Sequence, residues 1–413
     1  MTKSWNKRNS NDYRSYRSVT LENGLSVLLI RDPEIAQSVA ALSVSAGSFF
    51  DPPSIQGLAH LIEHVLFRGS KAFPQLDELN DYVSFNGGGE VNAHTELDHT
   101  TFSFALNSVK SEHLSGALER FAHQFIDPLM DKETLGREII TLESEFVNCK
   151  HTDAERLDQL MAHTSKAGHI FNRFTWGNKK SLSQVSLDEL GEAAVKFFND
   201  HYQASSMKLV VLGNEHCDTL ERLVSQHFTL IHNGEGLKRE IPMITQPWDP
   251  KMYTLESVQS NENVVITWML PRNNQKMPET YLLRLLSNES EGSLCSFLKG
   301  KGWITSLNVD VGPVSGFSGI KSSSSYSSTY GSQLFRVDFE VTKEGLKQKY
   351  SLVHHLYQYI NLLRGKIMDE YMEEYGDLQR MKFQSLYIDQ KLISSFLQFA
   401  ESLAGLFFNL ISI

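Results

Sequence analysis

Between Ser18 and Leu66 the spacing of apolar residues changes once, and that change limits what the chain can fold into. Ser18 to Arg31 (SVTLENGLSVLLIR) reads as a hairpin, two apolar runs about an Asn23-Gly24 turn, and Ser38 to Ala46 (SVAALSVSA) as a further strand. After Asp51-Pro52-Pro53-Ser54, a helix entrance, Leu58, Leu61, Ile62, Val65 and Leu66 recur at helical spacing. Strand, strand, helix is the order of an α+β fold. The spacing then predicts a helix near Leu76 to Ser84, a turn at Gly87-Gly88-Gly89 and strands at Glu90 to His94 and Thr100 to Leu106. Helices follow at Glu112 to Phe125 and from about Asp131 past Glu145. Val195 to Asp200 ends another helix, Lys208 to Leu212 (KLVVL) is a strand of the buried type, and Asp218 to His227 is helical.

A chain of 413 residues, at about 150 per domain, has room for two to three domains. Three of its eleven prolines, Pro242, Pro247 and Pro250, fall where the periodicity stops. The chain therefore divides into a polar arm (1–17), a first domain (18–230), a Pro-rich linker (231–250) and a second domain (251–413). The second domain restarts the order, with strands at Lys251 to Val258 and Asn263 to Leu270 and helices at Glu279 to Leu286 and Leu294 to Lys299. Thr254-Leu255-Glu256 echoes Thr20-Leu21-Glu22, consistent with a duplicated domain. Ser315 to Ser328 reads as a Ser-rich loop. Phe396 to Ile413 is helical and apolar without a cap, so the second domain reads as cut short or completed by a partner.

A net charge of −10 disfavours a nucleic-acid partner, because such binding is driven by Lys and Arg neutralising phosphates. Cys149, Cys217 and Cys295 are odd in number and lack a CxxC, which suggests neither a disulfide framework nor a thiolate zinc site. The arm has no apolar signal region and no run is long enough to span a membrane, so a cytoplasmic, non-membrane protein is expected.

His60-Leu61-Ile62-Glu63-His64 is an H-x-x-E-H pattern on a predicted helix. Histidines four apart share a face one turn from each other, so both imidazoles can reach one ion. Glu63 is near enough to take a proton from a water on that ion without being a ligand. Neutral nitrogen ligands, an open position and a carboxylate base are what a zinc hydrolase needs. No G-x-S-x-G points to a serine hydrolase, the triple glycine lacks the Lys-Ser or Lys-Thr of a P-loop, and His354-His355 sits among apolar residues as packing.

Gly47-Ser48-Phe49-Phe50-Asp51-Pro52-Pro53, the run Gly57 to His64, and Leu66-Phe67-Arg68-Gly69-Ser70 together resemble the inverted zinc-peptidases of the pitrilysin and insulin-degrading family, M16. The resemblance implies a third ligand on a distant helix with a second glutamate seven residues before it; Gly136 to Glu145 (GREIITLESE) fits that segment. Glu145 is thus the expected ligand and Glu138 a carboxylate behind it that orients a histidine or the water. Their spacing, two helical turns, puts both on one side and turns Glu143 away. Glu90 to Thr95 with His99 to Phe102 resembles the family's active-site edge strand, which implies substrate contacts at Asn92 and Ala93. Phe174-Thr175-Trp176-Gly177-Asn178 resembles a family loop. Glu291 to Leu294, Leu298 to Trp303 and Thr342 to Leu346 match the family's long-chain branch, so the resemblance spans most of residues 15–370. At Ser287 to Ser290 and Leu307 to Asp310 the chain departs from the stretches that anchor a substrate's N-terminus in insulin-degrading members.

The resemblance implies two homologous α+β domains, each a mixed sheet flanked by helices, with one Zn²⁺ held by His60, His64 and Glu145. It also implies an endopeptidase in which Glu63 activates water to cut peptides or partly unfolded polypeptides. Family members are clamshells of two halves, and this chain reads as the first half. The alternative expectation is a zinc-loaded peptide-binding or regulatory half with little activity until a homologous C-terminal half or second subunit joins it; a third is one subunit of a two-chain processing peptidase.

Overall fold

The computed structural model describes residues 13–234, 247–259, 262–271, 278–313 and 332–364. Its first sheet has six strands: β1 (Ser15–Thr20), β2 (Ser26–Arg31), β3 (Ser38–Val44), β4 (Gly89–Thr95), β5 (Thr100–Leu106) and β6 (Met207–Gly213). Their order is β1-β2-β6-β3-β5-β4, with β2 and β6 parallel and every other neighbouring pair antiparallel. The all-buried run MKLVVLG, 163 residues beyond β3, fills the centre of the sheet. Strand alternation sorts the apolar residues: Val27, Leu29, Leu42, Phe102, Phe104, Leu209 and Val211 face the main core, whereas Leu28, Ile30, Val39, Ala41, Val210 and Leu212 form a smaller cluster on the opposite face.

Helices α1 (Leu58–Leu66), α2 (Glu78–Phe85), α3 (Ser111–Ile126), α4 (Lys132–Cys149), α5 (Asp153–Thr164), α6 (Lys179–Leu182), α7 (Leu187–His201) and α8 (Cys217–Phe228) accompany this sheet. Their apolar stripes, such as Leu114, Leu118, Phe121 and Phe125 of α3, meet the main core. Burying one such phenylalanine stabilises the fold by roughly 1.5–3 kcal/mol. The expected triple-glycine turn is present: Gly87, Gly88 and Gly89 all have positive φ, and a Cβ on Gly89 would fall 1.9 Å from the Ala105 carbonyl oxygen.

A second sheet, β7 (Glu262–Pro271), β8 (Ile304–Pro313) and β9 (Ser332–Val341), is antiparallel in the order β7-β9-β8. Its helices are α9 (Pro278–Leu286), α10 (Leu294–Gly300), α11 (Lys343–Lys347) and α12 (Lys349–Leu363). Leu294, Leu298, Leu352 and Leu356 pack on Phe335, Val337 and Phe339 in a core of their own. The chain is α+β, with sheets flanked by helices as the sequence implied; the first sheet is mixed, and the described strands of the second are all antiparallel.

One expected strand is absent. Residues 251–257 have no regular structure and are almost wholly exposed, so the Thr-Leu-Glu echo does not mark an equivalent strand. The segment buries no face that pairing could protect. It is tethered instead by the start of α5: Asp153 accepts from Ser257 Oγ and the Val258 and Gln259 amides, and Arg156 donates to the Glu256 carbonyl. Arg336 of β9 also meets Asp158 of α5 at 2.8 Å. The Ser-rich segment, the apolar C-terminal stretch and most of the arm and linker lie outside the described residues. Among those described, no helix is long and apolar enough to cross a membrane.

Candidate metal centre

The pattern of two histidines and a glutamate lies on α1, whose entrance is set by the buried Asp51. Its two carboxylate oxygens accept the Gly57 and Ala59 amides at 2.7 and 2.8 Å, satisfying donors that a helix start leaves open. Burial pushes this carboxyl up to about 7 against the pull of those amides. From there Leu58, Leu61, Ile62 and Val65 turn into the core, leaving His60 and His64 on the opposite side with ring centroids 4.9 Å apart. Glu63 is buried toward β4, where Thr95 Oγ1 donates to its Oε2 at 2.6 Å.

Helix α4 starts with Asp131 accepting the Thr134 amide and buries Thr134, Leu135, Glu138, Ile139 and Leu142. That stripe aims Glu138 and Glu145 at α1. Glu145 Oε2 lies 3.5 Å from His64 Nε2 and 3.8 Å from His60 Nε2. Glu138 Oε2 lies 3.5 Å from His64 Nδ1, while its Oε1 is 2.8 Å from Arg68 Nε. Arg68 in turn holds Asp77, the one non-glycine with positive φ among the described residues. On the other histidine, His60 Nδ1 is 2.7 Å from the Trp176 carbonyl oxygen, an acceptor only, so that nitrogen carries the proton and Nε2 presents its lone pair. Glu143 points elsewhere, as expected: its Oε2 accepts the Lys179 amide.

Electrostatics separate the two rings. Burial lowers His60 below the usual imidazole range, with Glu63 opposing. For His64 burial acts in the same direction, but Glu138 and Glu145 outweigh it and push it up to about 10. Burial raises Glu145, yet His64 and His60 bring it below the ordinary carboxylate range. Two imidazoles faced by two carboxylates make a pocket that suits a cation. The ligand-capable atoms of His60, His64 and Glu145 all lie within 4.8 Å of one another. A tetrahedral zinc with bonds of about 2.0–2.1 Å separates its ligands by about 3.3–3.4 Å, close to the Glu145 distances, and two imidazoles with a carboxylate are ligand types zinc takes. The residues fit the ion.

Strand β4 is an outer strand of its sheet, and Asn92 and Ala93 are half-buried within it. The two residues differ in what they offer. The Glu96 amide donates to His99 and the Asn107 amide to Gly88, so the even-numbered residues of β4 turn their main chain toward β5. Val91, Ala93 and Thr95 therefore present N–H and C=O to the open edge, whereas Asn92 keeps only its side chain for a ligand. Beside the edge, burial and then His99 drive His94 down to about 3; burial lowers His99 too, but Asp98 raises it overall.

Sequence reasoning missed Thr95, Arg68, Asp51 and the Trp176 carbonyl. Thr95 and Arg68 lay inside quoted motifs, and their roles depend on the distances between elements. The carbonyl belongs to the main chain and leaves no trace in residue type.

A family model described as "Insulinase (Peptidase family M16)" matches residues 26–175, and one described as "Peptidase M16 inactive domain" matches residues 191–375. The chain is 37% identical over 444 residues to a nardilysin-like protein of Arabidopsis thaliana, a match covering 91% of this chain and 42% of that one. It is 35% identical to the insulin-degrading enzyme of Mus musculus, covering 90% of this chain and 36% of the relative. The crystal structure of pitrilysin superposes with a TM-score of 0.79 at 27% identity, covering 92% of this chain and 39% of that one. The chain thus spans about two fifths of the length of these relatives.

Proposed function

The chain belongs to peptidase family M16, and from that premise we propose that it is a zinc-dependent endopeptidase in which Glu63 is the general base. The observation that carries this reading is the disposition of α1 against α4: His60 and His64 of α1 and Glu145 of α4 converge with Nε2 and Oε2 atoms, while Glu63 is buried beside them on a short hydrogen bond from Thr95. We assign the ion to those three residues and the role of orienting His64 to Glu138. A bound Zn²⁺ would supply Lewis acidity toward a peptide carbonyl and a water. Glu63 takes the proton from the attacking water and returns it to the leaving amine. Thr95 keeps the Glu63 carboxylate at the end of β4. The open edge at Val91, Ala93 and Thr95 reads substrate main chain, with Asn92 contributing its side chain, so extended peptides or partly unfolded polypeptides are the substrates. In this reading residues 18–230 form the catalytic unit and those beyond the 231–250 linker a second, non-catalytic unit.

The test is cleavage of a quenched peptide, with Glu63→Gln and chelator-treated protein beside the unaltered chain. The substitution is expected to lower turnover by roughly 10²–10⁴-fold with zinc still bound. Undiminished cleavage overturns the assignment. A second reading, favoured by the short span relative to the M16 relatives, is a zinc-loaded peptide-binding half that turns over only when a second homologous half joins it. Zinc and peptide binding without cleavage, restored by adding such a half, selects that reading.

A further inference from the structure

Residues 176–190 lie between the two family matches, and a close main-chain contact with the entrance of α1 is there. Gly57, the residue before α1, has φ +94°, and Gly177 has φ +80°. Their backbones touch: a Cβ built on Gly57 would stand 2.1 Å from the Gly177 Cα, and one on Gly177 would stand 2.9 Å from the Gly57 Cα. Neither position has room for a side chain, and each uses a backbone conformation that side chains disfavour. Around the contact the two segments are stitched together. The Phe174 amide donates to Gln56 Oε1 at 2.7 Å, Ser181 Oγ donates to the Gln56 carbonyl at 2.9 Å, and Arg173 donates to the Phe49 and Asp51 carbonyls. The same loop reaches α4, through the Lys179 amide on Glu143 and the Phe174 ring against Phe146.

We propose that the loop from Arg173 to Ser181, seated by the Gly57–Gly177 contact, is the positioning element that sets the metal affinity of His60. It delivers the Trp176 carbonyl to His60 Nδ1, which fixes the protonated nitrogen and aims Nε2 at Glu145. A partner on the far nitrogen of a metal-binding imidazole fixes both its tautomer and its orientation. The two histidines are served differently: His64 is backed by a carboxylate from α4, which carries Glu145, and His60 by a main-chain oxygen whose place depends on two glycines meeting. Because the loop also holds α4, it sets the spacing between the helix bearing the nitrogens and the helix bearing the carboxylate.

This inference rests on the zinc reading of His60, His64 and Glu145, and its test separates the two. Zinc affinity is measured by competition with a chromophoric chelator, and geometry by the visible absorption of the Co²⁺-substituted protein. The unaltered chain, Gly177→Ala and Gly24→Ala are compared, because Gly24 also has positive φ (+84°) and lies in the β1–β2 turn. Gly177→Ala is expected to weaken zinc roughly 10–100-fold and to change the Co²⁺ spectrum; Gly24→Ala is expected to leave both as in the unaltered chain. Unchanged affinity in Gly177→Ala, or an equal loss in Gly24→Ala, overturns the positioning role. If Gly177→Ala is not recovered folded, Gln56→Leu removes the Phe174 tether without backbone strain, and wild-type affinity and spectrum there overturn the role equally. Absence of zinc binding by the unaltered chain overturns the underlying zinc reading instead.

Discussion

The two sheets are built alike, with helices packed across strands, yet they bury different chemistry. Around the six-stranded sheet the core admits Glu63, Glu138, Asp51, Asp32 and Arg14, each held by a partner from another element or by a helix start. Around the three-stranded sheet the only buried polar residue among those described is Ser293, which accepts the Ser296 amide at the start of α10. Burying a carboxylate costs several kcal/mol unless it is paired, so a fold that keeps two of them beside two histidines is held there by something other than stability. The dry region shows what the same layers look like without that demand.

The strongest way to break this contrast is to damage the dry core and watch the wet one. Phe339, fully buried among Val337, Leu352 and Leu356, contributes only packing. Phe339→Ala is expected to cost about 3–5 kcal/mol in denaturant unfolding. Zinc affinity of the folded fraction should match that of the unaltered chain. A parallel fall in affinity would show that the second region shapes the metal centre.

Next in size is a change that leaves packing alone. Glu138→Gln keeps the shape but removes the charge that faces His64 Nδ1 and Arg68. Zinc affinity is expected to drop roughly 10–100-fold, about 1.4–2.7 kcal/mol, by chelator competition. Wild-type affinity would make Glu138 a partner of Arg68 alone.

The contrast also explains which features were legible in the sequence. The helix of His60 and His64 could be read because its apolar positions and its polar face have the same period, and Glu138 and Glu145 because seven residues return a helix to the same side. Strands β2, β3 and β5 announced themselves by runs of Val, Leu, Ala and Phe. The insertion of β6 between β2 and β3 could not be read, since the partners lie far apart in sequence and the run KLVVL is compatible with any central position. Segment 251–258 misled because alternation alone does not supply a neighbouring strand. Helix α5 went unseen because its stripe is largely polar, Asp153, Arg156 and Asp158 being spent on tethers to the segments leading into the second sheet and to β9.

Those tethers help join the wet and dry regions, beside the packing of Met269 and Leu334 on the main core, and they give the smallest expected effect. Burial, the largest single influence, raises Asp153, but Ser257, the Val258 and Gln259 amides and Arg156 together outweigh it and bring it down to about 2 from 3.8. A carboxylate with a depressed folded-state pKa stabilises the fold above its unfolded value and loses that contribution as pH falls through the folded one. The window for this group is therefore about pH 4 down to about 2. Because Asp153 is partly exposed, solvent screening keeps the effect in the range of a surface pair, about 0.2–1 kcal/mol. Asp153→Asn removes the charge at every pH while keeping an acceptor. The stability difference between the unaltered chain and Asp153→Asn, followed by urea unfolding, should be constant above pH 4 and shrink as pH falls below it. A difference that persists unchanged to the lowest pH at which the chain is still folded would mean that the tether depends on shape rather than charge. The two regions would then be joined by geometry that acid does not loosen.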